Sequence, residues 1–174
     1  AVVMVISGVV CNIVSTRMNN SDYETLISTS TASSLDDKIN NYKNAVEIYP
    51  GRTDAYVKMI EAYQDEGTFS KQENDDFLAV YNANKDQLDA TSSDVSELNY
   101  IIGMLYFNYY TENNDGDYSF STRVQKAYPF FNENYQSATG FEEQTMSDCY
   151  YQICSFYKKY ILNTTTVEEA SKEN

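Results

Sequence analysis

The sequence predicts an all-α protein: about six helices, stacked as antiparallel hairpins. Three observations predict this. From Ser21 to Leu162 the apolar residues recur at the three-and-four spacing that lines one face of a helix. No segment in that span keeps the period-two alternation of a half-buried strand. The helical stretches are separated by residues that end helices for stated reasons, namely Pro50–Gly51, Gly67 and the run Asn113–Asn114–Asp115–Gly116–Asp117.

A short helix around Tyr23–Leu26–Ile27 precedes the main series. Ser34 is an N-cap residue, and Leu35, Ile39, Tyr42, Val46 and Tyr49 form the first long stripe. Pro50 stops that helix, because the residue before a proline avoids the α region. A second helix carries Tyr56, Met59, Ile60 and Tyr63 and closes at Gly67. Ser70 and Glu73 have the spacing of a capping box and open a third, with Phe77, Leu78 and Tyr81. The fourth runs through Val95, Leu98, Ile101, Ile102, Leu105, Tyr106 and Tyr109. The fifth begins near Ser121 and carries Val124, Ala127, Tyr128, Phe131 and Tyr135, with a kink or split expected at Pro129. The sixth carries Tyr150, Ile153, Cys154, Tyr157, Tyr160 and Ile161 as its stripe.

The bulk composition narrows the function. The chain has 174 residues, suiting one domain, and a formal net charge of −14. It contains no His, which removes Ser-His-Asp triads, Cys-His dyads, the HExxH zinc helix and any imidazole pH switch. An acidic surface repels phosphate, so no nucleic-acid partner is expected, and docking on anionic lipid is disfavoured. The three cysteines read as unpaired apolar residues. Cys149 and Cys154 point about 140° apart on one helix, which suits neither a disulfide nor a shared metal.

The N-terminus differs from the rest. Ala1 to Val14 (AVVMVISGVVCNIV) carries no charge and is rich in β-branched residues, with Arg17 after it. It falls short of the roughly 20 residues that span a bilayer. We read it as the outer end of a truncated transmembrane helix. A buried strand or core helix also fits, as does a lipoprotein cleavage site before Cys11, although Val10 is bulkier than such sites prefer. The expected organisation is a truncated transmembrane segment over 1–17, a stalk or short helix over 18–33, the helical domain over 34–162 and a disordered polar tail over 163–174.

The spacing of the small and aromatic residues resembles the tetratricopeptide (TPR) repeat. Ala45 and Ala79 lie 34 residues apart, and Pro50 follows Ala45 by five. Tyr56, Met59, Tyr63 and Gly67 resemble the aromatic, Leu, Tyr and turn Gly of the next unit. Ile102–Gly103 with Tyr106 resembles the L-G-x2-Y element, and Ala127 with Phe131 resembles A-x3-F. Asn99 stands where the aromatic is expected, Asn84 where the second Pro is, and the loop near Asn113–Tyr118 is long. The resemblance implies two or three degenerate TPR-like hairpins between about 34 and 162, which bury their faces only by stacking. Small residues at Ala45, Ala79 and Gly103 would let the helices approach. The whole arrangement also weakly resembles the region after the membrane span of some Gram-positive serine/threonine kinases. NYKNAVEIYPGRTDAY, FLAVYNANKD and FSTRVQKAYPFF carry that likeness. It implies a kinase domain upstream, since no Gly-rich phosphate loop, HRD or DFG is present here.

Candidate chemistry is sparse. The carboxylate pairs Asp36/Asp37, Asp65/Glu66, Asp75/Asp76 and Glu142/Glu143 read as solvated groups or as partners of helix N-termini. The stretch Thr111–Asn113–Asp115–Gly116 resembles an EF-hand loop, but Thr111 and Thr122 stand where carboxylates are needed, so it reads as a polar loop. The 17 tyrosines are the most unusual feature. Tyr42, Tyr56, Tyr63 and Tyr106 occupy packing positions, with hydroxyls expected at the solvent edge. As ligand-binding residues the candidates are Tyr100 and Tyr110, off the main stripe, then Tyr109 and Tyr63.

The sequence thus predicts a non-enzymatic binding or sensory scaffold domain on the outer side of a cell membrane. Its ligand would be a protein, a peptide or a cell-wall fragment, with no metal or cofactor. The competing readings are a carboxylate-dependent enzyme acting on polysaccharide and a structural oligomerisation module.

Overall fold

A computed structural model of the chain describes residues 18–28, 34–89, 91–111 and 119–162. Among them are seven α-helices and no strand. Helix α1 covers 18–28. It is followed by α2 (Leu35–Ile48), α3 (Asp54–Asp65), α4 (Lys71–Asn84), α5 (Ser93–Asn108), α6 (Phe120–Ser137) and α7 (Gln144–Tyr157). A short 3-10 turn, Lys85–Gln87, follows α4, and a π-helical turn, Lys158–Leu162, ends the described chain.

The boundaries follow the local chemistry. The Ser34 hydroxyl accepts from Asp37 N, and Asp36 and Asp37 sit in the positive first turn of α2. Both halves of the Ser70/Glu73 capping box are formed. Gly67 takes φ +80°, a backbone that a side chain at this position would strain. Ser119 caps α6 by accepting from Thr122 N.

Each helix touches the next but one as well as its neighbour. The Tyr23 hydroxyl of α1 donates to Asp54 of α3. Lys43 of α2 pairs with Asp76 of α4 at 2.5 Å. Helix α3 packs on α5. Tyr81 of α4 lies 6.1 Å, ring to ring, from Phe130 of α6. Phe107 of α5 lies 5.1 Å from Tyr150 of α7. The most extensive neighbour contacts are α5–α6, α6–α7 and α2–α3. The α5–α6 approach is close because Gly103 has no side chain. A Cβ there would sit 2.7 Å from a ring carbon of Phe131.

One core runs through the helices, and its largest side chains are mostly aromatic. Its hub is Phe69, in the loop between α3 and α4. That ring contacts Tyr63, Phe77, Tyr106 and Tyr110. The Phe69 backbone is tied to the end of α5: its N–H donates to the Tyr109 carbonyl at 2.9 Å, and its own carbonyl accepts from Thr111 N at 2.8 Å.

Several expectations change. Ala79 is exposed and lets no helix approach, because α4 turns Phe77 and Tyr81 inward instead. Pro129 does not split α6; it sits on an exposed position of a continuous helix. Ile153, Tyr160 and Ile161 are not on the inward face of the last helix, which turns Ser147 and Cys154 inward. Cys149 and Cys154 are free, the first exposed and the second buried. Segment 1–17, the loop 112–118 and the tail 163–174 lie outside the described residues, together with Cys11 and most of the EF-hand-like loop. No described helix is long and apolar enough to cross a membrane.

Candidate functional site

The first turns of α2 and α4 face one another across a groove, with α3 beneath. The groove encloses about 800 Å³, within the range of small-ligand and side-chain pockets. Helix α2 supplies Leu35, Asp36, Ile39, Asn40 and Lys43. The start of α4 supplies Ser70, Gln72, Glu73, Asp75, Asp76 and Ala79, and Tyr63 of α3 lies between. The lining therefore holds four carboxylates against one lysine.

Asp76 is the best anchored of these. One oxygen accepts from Lys43 Nζ at 2.5 Å and the other from the Tyr63 hydroxyl at 3.1 Å. The Tyr63 side chain is buried beneath it, only 2% exposed. Burial first, and then the charge and hydrogen bond of Asp76, push its phenol well above the ordinary tyrosine value, so it stays a donor. Glu73 is committed to the capping box, accepting from Ser70 N at 2.6 Å. Asp75 pairs with Lys71 on the preceding turn, and that bond holds its carboxyl below the usual range. Asp36 stays exposed on the opposite wall. Beside the groove, Asn74 turns inward and accepts from the Tyr106 hydroxyl at 2.6 Å, which locks α4 to α5.

The four candidate tyrosines are not brought together. Tyr63 lines the groove. Tyr110 is 3% exposed and sits in the core, enclosed by Phe69 and Tyr106 with Lys126 Nζ 4.8 Å from its ring. Tyr109 caps α5 and packs half-buried against the core. Tyr100 is half-buried on α5 beside Phe131 and Phe141. Tyr42, Tyr56, Tyr63 and Tyr106 are buried as packing residues, and three of their hydroxyls end on protein acceptors. Tyr56 donates to the Pro50 carbonyl at 3.0 Å, Tyr63 to Asp76 and Tyr106 to Asn74. The solvent-edge expectation fails outright for Tyr106, whose acceptor Asn74 is itself buried, whereas Tyr56 and Tyr63 reach acceptors that are partly exposed.

In the sequence Asp75/Asp76 reads only as a solvated pair, and nothing there singles out Lys43. The only available signal was spacing: Lys43 and Asp76 are 33 residues apart, close to the 34 that separate Ala45 from Ala79. Among the described residues, no cluster of three or more metal-ligating side chains occurs. Thr111, at the start of the EF-hand-like stretch, is buried with its hydroxyl on the Phe69 carbonyl. A second hollow of about 560 Å³ lies between α4 and α6, with Lys85, Asp86 and Glu133 as its charged residues. The α2–α4 groove is larger and more one-sidedly charged. No protein-family model, curated protein or solved structure matches this chain.

Proposed function

We propose that this is a TPR-like binding domain that takes a basic segment of a partner protein or peptide into the α2–α4 groove. The observation that carries the reading is the groove itself, with four carboxylates and one already-paired lysine over a buried tyrosine. A lysine or arginine side chain entering it would meet carboxylates on both walls, and complementary charge would also speed the encounter. The helix-to-next-but-one contacts support stacking of the repeat kind, in which neighbouring units bury each other's faces. In the same proposal the uncharged segment Ala1–Val14 tethers the domain to a cell membrane. The groove would then act outside the cytoplasm as a sensor or scaffold surface, in the manner of a kinase sensor region.

The test is fluorescence anisotropy with labelled tetra-arginine. Binding should appear at low salt, weaken as ionic strength rises, and fall at least tenfold in Asp36→Asn/Asp76→Asn. A matched pair far from the groove, Asp86→Asn/Glu97→Gln, should leave it within twofold. Equal losses in both variants would mean unspecific attraction to an acidic protein, and the groove reading would be wrong.

A further inference from the structure

The chain carries 26 acidic residues, yet one exposed stripe has none. On the outer side of α7, Met146, Ile153 and Phe156 are 50%, 47% and 61% exposed, and Cys149 is exposed between them. Tyr160, 50% exposed, continues the line into the closing turn. Within α7 the intervals are three, four and three residues, which is the a/d spacing of a two-helix seam rather than the broad face of a helix packed on a core. The opposite side of α7 is already occupied, with Ser147 and Cys154 buried and Tyr150, Tyr151 and Tyr157 against the core. The stripe is thus a second seam on a helix whose first seam is satisfied.

Charge along the helix selects the occupant. Glu142 and Glu143 stand at the N-terminal end of α7, and Lys158 and Lys159 at the C-terminal end. A second copy lying antiparallel brings each acidic end beside a basic end and opposes the two helix dipoles. A parallel copy would set acid on acid.

We propose that two copies of this chain dimerise through α7 in antiparallel register, with Ile153 over Cys149 and Phe156 over Met146 of the other copy. In this register Lys159 of each copy lies across from Glu142 and Glu143 of its mate. Positions flanking the stripe, Thr145, Gln152 and Lys159, add no negative charge. The dimer therefore forms where a protein of net charge −14 repels itself least.

Multi-angle light scattering on the full chain from 1 to 100 µM tests this. The wild type should approach twice its 19.9 kDa mass, while Ile153→Asp and Phe156→Glu should stay monomeric with unchanged helical circular dichroism. Lys159→Glu alone should weaken the dimer at least tenfold, and adding Glu142→Lys should restore it. A wild-type monomer at 100 µM overturns the proposal. In that case, Cys149 unreactive to maleimide would mean the chain's own residues cover the stripe. Co-sedimentation with phosphatidylcholine/phosphatidylglycerol vesicles would mean lipid does. A dimer indifferent to Ile153→Asp also overturns it. So does a charge swap that weakens the dimer further, because it would contradict the antiparallel register.

Discussion

Tyrosine is used in two ways at the two ends of this molecule. Toward the N-terminus, Tyr23, Tyr56, Tyr63 and Tyr106 are at most 2% exposed, and their hydroxyls donate to Asp54, the Pro50 carbonyl, Asp76 and Asn74. Toward the C-terminus the rings stack near the surface. Tyr135 lies 4.2 Å from Tyr151 at 15°, Tyr151 stacks in turn on Tyr128, and Lys158 Nζ sits 3.7 Å above the Tyr128 ring. The first use makes each phenol both core filling and a directed hydrogen bond, so it fixes how helices meet. The second uses the ring as a flat contact surface with a wet tip. The acidic groove belongs to the first region because a buried phenol can aim a carboxylate. The dimer seam belongs to the second because nothing there demands a specific acceptor.

The largest expected effect comes from alkali. Burial raises the phenols of Tyr56 and Tyr81 to about 12, and those of Tyr23, Tyr63 and Tyr106 further still. Above pH 10 the unfolded chain releases these protons while the folded one retains them. Stability is therefore complete below pH 10 and falls as pH climbs toward 12 and beyond, by up to about 1.4 kcal/mol per pH unit for each tyrosine. Five such groups should unfold the domain within that window. The tyrosinate absorbance carried by these residues should rise together with the loss of helical circular dichroism. Full ionisation with the helices intact would contradict the first half of the comparison.

Next in size is the junction between the two regions. Phe131 is fully buried, packs on the Gly103 backbone and stacks on Tyr150 at 5.3 Å. Phe131→Ala should cost about 3–5 kcal/mol in chemical denaturation. Gly103→Ala, which pushes a methyl toward the same ring, should cost about 1–3 kcal/mol.

How much of this was readable in advance depends on whether the cause was local. The helix starts at Ser34 and Ser70, the stop at Pro50 and the turn at Gly67 were legible because each rests on a backbone preference or a bond within a few residues. The inward side of α7 was half legible: Tyr150, Cys154 and Tyr157 do pack inward, but Ile153 faces out, because two apolar stripes compete on one helix and periodicity alone does not say which faces the core. Phe69 went unnoticed because it lies in a loop and belongs to no stripe. Buried polar residues were also hidden. Asn134 donates to the Ser96 carbonyl and to Ser147 across separations of 38 and 13 residues, which no local pattern encodes. Of the groove, Tyr63 was selected for its ring, whereas Asp76 and Lys43 acquire meaning only once α2 and α4 stand side by side.

The comparison sharpens further with single hydroxyls. Tyr106→Phe leaves the buried Asn74 oxygen without its donor and should cost about 1–3 kcal/mol. Tyr135→Phe, at a ring 43% exposed, should fall within about 0.5 kcal/mol of wild type. Equal costs would erase the distinction between the two regions.

The central claim is that the buried tyrosines hold two acidic helix starts apart as a grip for positive charge. An NMR shift map of the labelled chain titrated with tetra-arginine tests it most directly. The account predicts the strongest perturbations at Asp36, Lys43, Tyr63 and Asp76, with α6 silent. Shifts spread evenly over the acidic surface, or centred on the α4–α6 hollow, would contradict it.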